Sequence, residues 1–214
     1  MRSKLTPEDL KSGDRFELLA EVSHLNLREF VVEQITKEKY IIRSYSVYQV
    51  IMLIVFGVLL IRSILIMVKG HSEALVSVVL AIIFSFTLLI IIHELLHALA
   101  YLLTGARQIS FGFIPRKFIF YALADRQVIA YPAFHLVALT PFVIVNMICF
   151  VVLLATHNSQ LIYFFLTVMC MHSLFCAGDM AMLAFYNLHR GKEIFNFDDR
   201  SEGKTYFYTR RSQN

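Results

Sequence analysis

Residues 90–103 read IIIHELLHALAYLL, and all but three of the fourteen are apolar. The exceptions, His93, Glu94 and His97, fall within five positions. Ionisable groups are costly in a segment greasy enough to lie in hydrocarbon, so they mark a partner or a function. On a helix of 3.6 residues per turn, His93 and His97 project from one face a turn apart and can hold one metal ion. Glu94 then sits beside the position of a metal-bound water and can take its proton. The pattern is HExxH, and this chain's composition gives it a chance expectation of roughly 0.01. The competing reading, in which the three residues only hydrogen-bond to neighbouring helices, has to account for a buried acid and two imidazoles.

Composition sets the class. Of 214 residues, 57% are hydrophobic and 17% charged, and mean hydropathy is +0.63, which is too apolar for an ordinary soluble domain. A formal charge of +4 could suggest a nucleic-acid partner. The basic residues instead sit between apolar runs and form no stripe, so no nucleic acid is expected. Cys149, Cys170 and Cys176 all lie in apolar segments, which supports neither a disulfide framework nor a cysteine-rich zinc site.

The expected architecture is an all-α membrane protein of about four transmembrane helices, at 46–68, 74–103, 133–156 and 160–186, with a short β-hairpin-like connection between the second and third. This divides the chain into an N-terminal segment (1–45), a metalloprotease-like membrane domain (46–186) and a tail (187–214). "KLTPEDLKSG" reads as a short helix capped by Thr6, with Pro7 at its first position and Gly13 beyond its end. Leu25, Leu27, Phe30, Val31 and Ile35 suggest an amphipathic helix on the bilayer surface. Eight Lys/Arg in 1–45, four in 104–132 and six from 187 onward, against one or none in the other two connections, place both termini and the 104–132 connection in the cytoplasm. The expected location is a bacterial cell membrane.

A catalytic zinc needs a third protein ligand and one position for water. The second and fourth spans run in the same direction, His97 about six residues and Asp179 six or seven from their cytoplasmic ends, so the two share a depth. Asp179 is the only acid besides Glu94 in the four spans, and Gly178 beside it would permit close approach. His172, seven residues earlier on the same helix face and about 10 Å deeper, and His135, near the cytoplasmic entry of the third span, are the rival ligands. His172 and Asn146 are candidate oxyanion donors, and Pro141 could kink the third span.

HExxH in an apolar helix, a β-like connection and a later Gly178-Asp179 resemble a membrane zincin peptidase family long catalogued as a domain of unknown function. That family is similar to the site-2 protease class of intramembrane metalloproteases. The resemblance spans roughly 75–210, including "FDDRSEGKTYFYTR". It implies His93, His97 and Asp179 as Zn²⁺ ligands and Glu94 as catalytic base. The chain departs from the site-2 protease pattern in having Gly178-Asp179-Met180 where that class has Leu-Asp-Gly.

The function expected is zinc-dependent intramembrane cleavage of a membrane protein or peptide near the cytoplasmic face. An exposed strand edge in 104–132 would hold the substrate extended, or that connection is only an interfacial loop. The alternative is a non-proteolytic, metal-binding regulatory protein that binds a partner without cutting it.

Overall fold

The computed structural model describes residues 5–114 and 119–211, so Pro115-Arg116, which by sequence should break the β-favouring runs of the 104–132 connection, lies outside the described residues. The chain is helical over 65% of its length. In order, α1 (Pro7–Lys11), β1 (Phe16–Ser23) and α2 (Leu27–Lys37) precede the long helix α3 (Ile41–Val68). Next come α4 (Glu73–Phe84), a π-helical turn at Ser85–Leu89, and α5 (Ile90–Leu103). The hairpin β2 (Ile109–Ile114) and β3 (Ile119–Ala124) leads through β4 (Ile129–Ala130) into α6 (Tyr131–Ala155). Helices α7 (Ser159–Phe175) and α8 (Ala177–Leu188) and strands β5 (Ile194–Asp199) and β6 (Lys204–Arg210) complete it.

Among the described residues, three helical stretches are long and apolar enough to cross a membrane: Ile41–Val68, Glu73–Leu103 and Tyr131–Ala155. A fourth is the α7–α8 pair, bent by 45° at its break. This is compatible with a multi-pass membrane protein. α7 is central, packing on α3, α4 and α6. The bend has a local cause. The Ser173 carbonyl, close to the break, accepts from the Tyr45 hydroxyl and from Gln49 Nε2 at 3.1 Å, so α3 supplies donors that let the helix break without an orphaned acceptor.

The all-α expectation is corrected by a four-stranded antiparallel sheet of order β1-β6-β5-β4. Alternation makes the sheet two-faced. Phe195, Phe197, Tyr206 and Tyr208 pack with Leu10 of α1 and Phe16 on one side. Ile194, Phe207 and Val22 join the core shared with α5, α6 and α8 on the other. Burying Phe197 and Phe207 completely contributes about 1.5–3 kcal/mol each where water is the alternative. Between helices in lipid that driving force is absent.

Helix α1 is capped as expected: Thr6 and Asp9 form a capping box, with Pro7 at the first turn, and Gly13 follows with φ +78°. Helix α2 does not present its apolar side to the outside throughout. Phe30 stacks against Phe207 and meets Phe185 of α8, although Val32 is exposed. The side chains of Leu27, Val31 and Ile35 lie outside the described residues. Between α2 and α3, Glu38 accepts from the backbone N–H groups of Tyr40 and Ile42 and from Asn187. Burial raises its pKa, but these bonds outweigh it and hold the carboxyl below its ordinary value.

Candidate metal centre

Helix α5 directs His93 and His97 to the same side, their Nε2 atoms 3.1 Å apart. The break after α7 places Asp179 in the first turn of α8, where the helix dipole favours a carboxylate. Its oxygens lie 3.3 Å from each imidazole, Oδ2 to His93 Nε2 and Oδ1 to His97 Nε2. The structure thus brings together the three residues that the sequence selects, although Asp179 follows His97 by 82 positions and His93 by 86. Glu94 lines the same cavity, and the backbone N–H of Ala122 in β3 is directed at its carboxylate.

Each imidazole is oriented from behind. His97 Nδ1 lies 3.0 Å from the Val137 carbonyl. A carbonyl can only accept, so the proton is on Nδ1. Pro141 stands four residues after Val137 in α6 and has no N–H, which leaves this carbonyl without its helical donor and available to the histidine. Pro141 does not split the span, which continues to Ala155. His93 Nδ1 is 3.1 Å from Nε2 of His172, and the fully buried His172 in turn contacts Cys176 Sγ at 3.6 Å.

These bonds test whether a metal fits. With its proton on Nδ1, neutral His97 turns a lone pair toward Asp179 Oδ1 and His93 Nε2. Lone pairs and a carboxylate at 3.1–3.3 Å repel unless a proton or a cation lies between them. Asp179 Oδ2 is buried and makes no hydrogen bond among the described residues. Two nitrogens and a carboxylate oxygen all within 4.8 Å of one another form a donor set suited to zinc. A second group, His93, His172 and Cys176, also converges, but it uses the opposite nitrogen of His93.

The other residues named from the sequence fall elsewhere. His172 stands behind His93 and outside the cavity wall, because the two nitrogens of His93 face different depths. His135 is exposed, beside the Tyr131 ring. Asn146 is committed to the Tyr48 hydroxyl and the Phe142 carbonyl. Gly178 borders the cavity, but a Cβ there would meet nothing within 4 Å, so it is not a point of close packing. Polar residues of the cavity wall that the sequence does not single out include His24, Asn196, Asp198 and Thr205. The alternating aromatics of 195–197 and 206–208 were the available sign of the hairpin that carries the last three.

Comparison with known proteins bears on this geometry. Neither the curated proteins nor the solved structures yielded a match. The family model that matches is described as "Putative zincin peptidase" and covers residues 86–190. A family so described points to a metallopeptidase and implies zinc. His93, Glu94, His97 and Asp179 all fall inside the match, and the zincin peptidase resemblance read from the sequence is shown over residues 86–190.

Proposed function

We propose that the protein is a zinc-dependent intramembrane peptidase that cuts a membrane-associated polypeptide near the cytoplasmic face. The observation that carries this reading is the convergence of His93, His97 and Asp179, with an unsatisfied carboxylate oxygen, beside Glu94 in one cavity. His93 Nε2, His97 Nε2 and the Asp179 carboxylate would hold the ion. When bound, zinc supplies Lewis acidity toward a carbonyl and toward water. Glu94 accepts a proton from the attacking water on a carboxylate oxygen and returns it to the leaving amine nitrogen. Val137 and His172 hold the imidazoles in place. The β3 edge nearest Glu94 would seat the substrate as an added strand, exposing a peptide bond that a helix would shield.

The topology is part of the proposal. β1 precedes α3, β4 lies between α5 and α6, and β5 and β6 follow α8, yet all belong to one sheet. A sheet lies on one side of a bilayer, so an even number of crossings must separate these strands. Two before β4 and two after it satisfy this if α7 and α8 act as one span. The count of basic residues favours the cytoplasm for that side and for both termini, in a bacterial cell membrane.

The test is purification in detergent with zinc counted per chain, alongside trapping of bound membrane proteins by Glu94→Gln. The proposal expects about one zinc in both forms and uncut partners accumulating only on Glu94→Gln. Equal processing by both forms would leave the regulatory, non-proteolytic reading, which the buried His93, His172 and Cys176 group favours as a closed metal position.

A further inference from the structure

The cavity that contains the metal centre does not end among the helices. It encloses about 600 Å³ and reaches the four-stranded sheet, where His24, Asn196, Asp198 and Thr205 form part of its wall. Along β5, Asn196 and Asp198 stand on the same face as Ile194, the face packed on the helices. Polar side chains on such a face are costly unless they are satisfied or have a ligand. Asn196 is satisfied, accepting from the Tyr186 hydroxyl at 2.7 Å.

Asp198 differs. It is 9% exposed, and both of its side-chain contacts fall on Oδ1: the Thr205 hydroxyl donates to it at 2.5 Å, and His24 Nε2 lies 3.8 Å away. The basic residues around it are engaged with other acids among the described residues. Arg126 pairs with Glu8 and Asp199, Lys204 with Glu21, and Arg210 with Glu193. The sheet end of the cavity therefore presents a largely desolvated carboxylate with no Lys or Arg partner from this chain among the described residues. Tyr121 closes its flank, with its ring 5.4 Å from that of His24. The ring lies across Gly112, where a Cβ would come within 2.1 Å of it, and it offers an aromatic face beside the acid.

We propose that Asp198, supported by His24 and Thr205, is a subsite for a lysine or arginine side chain of the polypeptide substrate. The inference rests on the peptidase reading and deepens it by naming the substrate class: apolar membrane segments followed by a basic residue on the side of the sheet. Asp198 is already stripped of most of its water in the fold, so an arriving cation gains the pair without that desolvation cost. Membrane segments carry Lys and Arg at their cytoplasmic flank, the side assigned to the sheet. A substrate whose apolar part reaches Glu94 would carry such a residue toward Asp198 along the same cavity.

The experiment uses the full chain as Glu94→Gln, zinc-loaded, in neutral phosphatidylcholine nanodiscs. The probes are fluorescent peptides of about 20 apolar residues flanked at one end by Lys-Lys, Ala-Ala or Glu-Glu. Binding of the Lys-Lys peptide about tenfold to a hundredfold tighter than the others is expected. Asp198→Asn, which keeps the Thr205 hydrogen bond, should abolish the preference, and Asp198→Lys should transfer it to the Glu-Glu peptide. Asp198→Glu should retain it. Zinc content reports whether each variant is folded, and the peptide series in the unaltered sheet stands even if one is not. Equal binding of all three peptides, no binding of any, or a preference that survives Asp198→Asn overturns the subsite. Failure of the peptidase reading would look different: zinc absent, or processing unaffected by Glu94→Gln. A zinc-loaded enzyme that cleaves with indifference to flanking charge removes the subsite alone.

Discussion

The metal-facing helices and the sheet behind the far wall of the cavity treat polar groups in opposite ways. At the helical end, two imidazole nitrogens and a carboxylate crowd within 3.1–3.3 Å, and Asp179 Oδ2 has no hydrogen bond among the described residues. In the sheet beyond the other end, Tyr186 serves Asn196, and Ser201 and Arg126 serve Asp199. Hydrogen-bonded polar groups hold a fold together, whereas acceptors turned on one another are stable only around something positive. The contrast separates residues that stabilise from residues that await a ligand, and substitutions at each end should give different kinds of loss.

The largest effect is expected from Glu94→Gln. Turnover should fall by about 10²–10⁴-fold while bound zinc, measured by atomic absorption, stays level. Loss of the metal together with turnover would mean that Glu94 supports the site instead of acting in it. Next come the residues behind the imidazoles. Replacing His172 by Phe should weaken zinc binding about 10–100-fold in chelator competition. Pro141→Ala should do likewise, because a restored N–H at 141 would claim the Val137 carbonyl from His97, even as the helix itself becomes more stable. Unchanged zinc affinity in Pro141→Ala would break the link between the proline and the ligand.

For the satisfied groups of the sheet, Asn196 and Asp199, the effects should appear in stability. Tyr186→Phe leaves Asn196 without its donor and should cost about 1–3 kcal/mol, read in denaturant melts with zinc stoichiometry preserved. The smallest effect concerns Asp199. The Ser201 hydroxyl, helped by the backbone N–H groups of Ser201 and Glu202 and by Arg126, holds its carboxyl below the usual value. A lowered folded pKa contributes stability above the unfolded value, about 3.9, and that contribution is lost as pH falls through the folded one. Near-UV melts of the sheet tyrosines should therefore show acid destabilisation that Asp199→Asn lessens.

Much of the helical end was legible because its signals are local. Apolar run length marks the spans, the i, i+4 pair marks the imidazoles, and counting turns from a membrane face matches Asp179 to His97. The sheet was not legible. Phe16–Ser23 and Lys204–Arg210 pair across some 180 positions of chain, and neither announces the other. The tail could have been read more closely, since Phe195, Phe197, Tyr206 and Tyr208 alternate around a turn containing Gly203. The bend at Cys176 was hidden too, because its cause is a pair of donors on α3 and not a proline or glycine at the break.

The pairing of β1 with β6 has a temporal consequence. A ribosome makes the first of these strands before any of the long apolar helices and the second after all of them. Until the last strand emerges, the cavity lacks the part of its wall that Thr205 provides, and β1 has no neighbour in its sheet. A nascent chain therefore holds its histidines and Asp179 in an open, unfinished chamber, and closure of that chamber waits for the last strand of this segment.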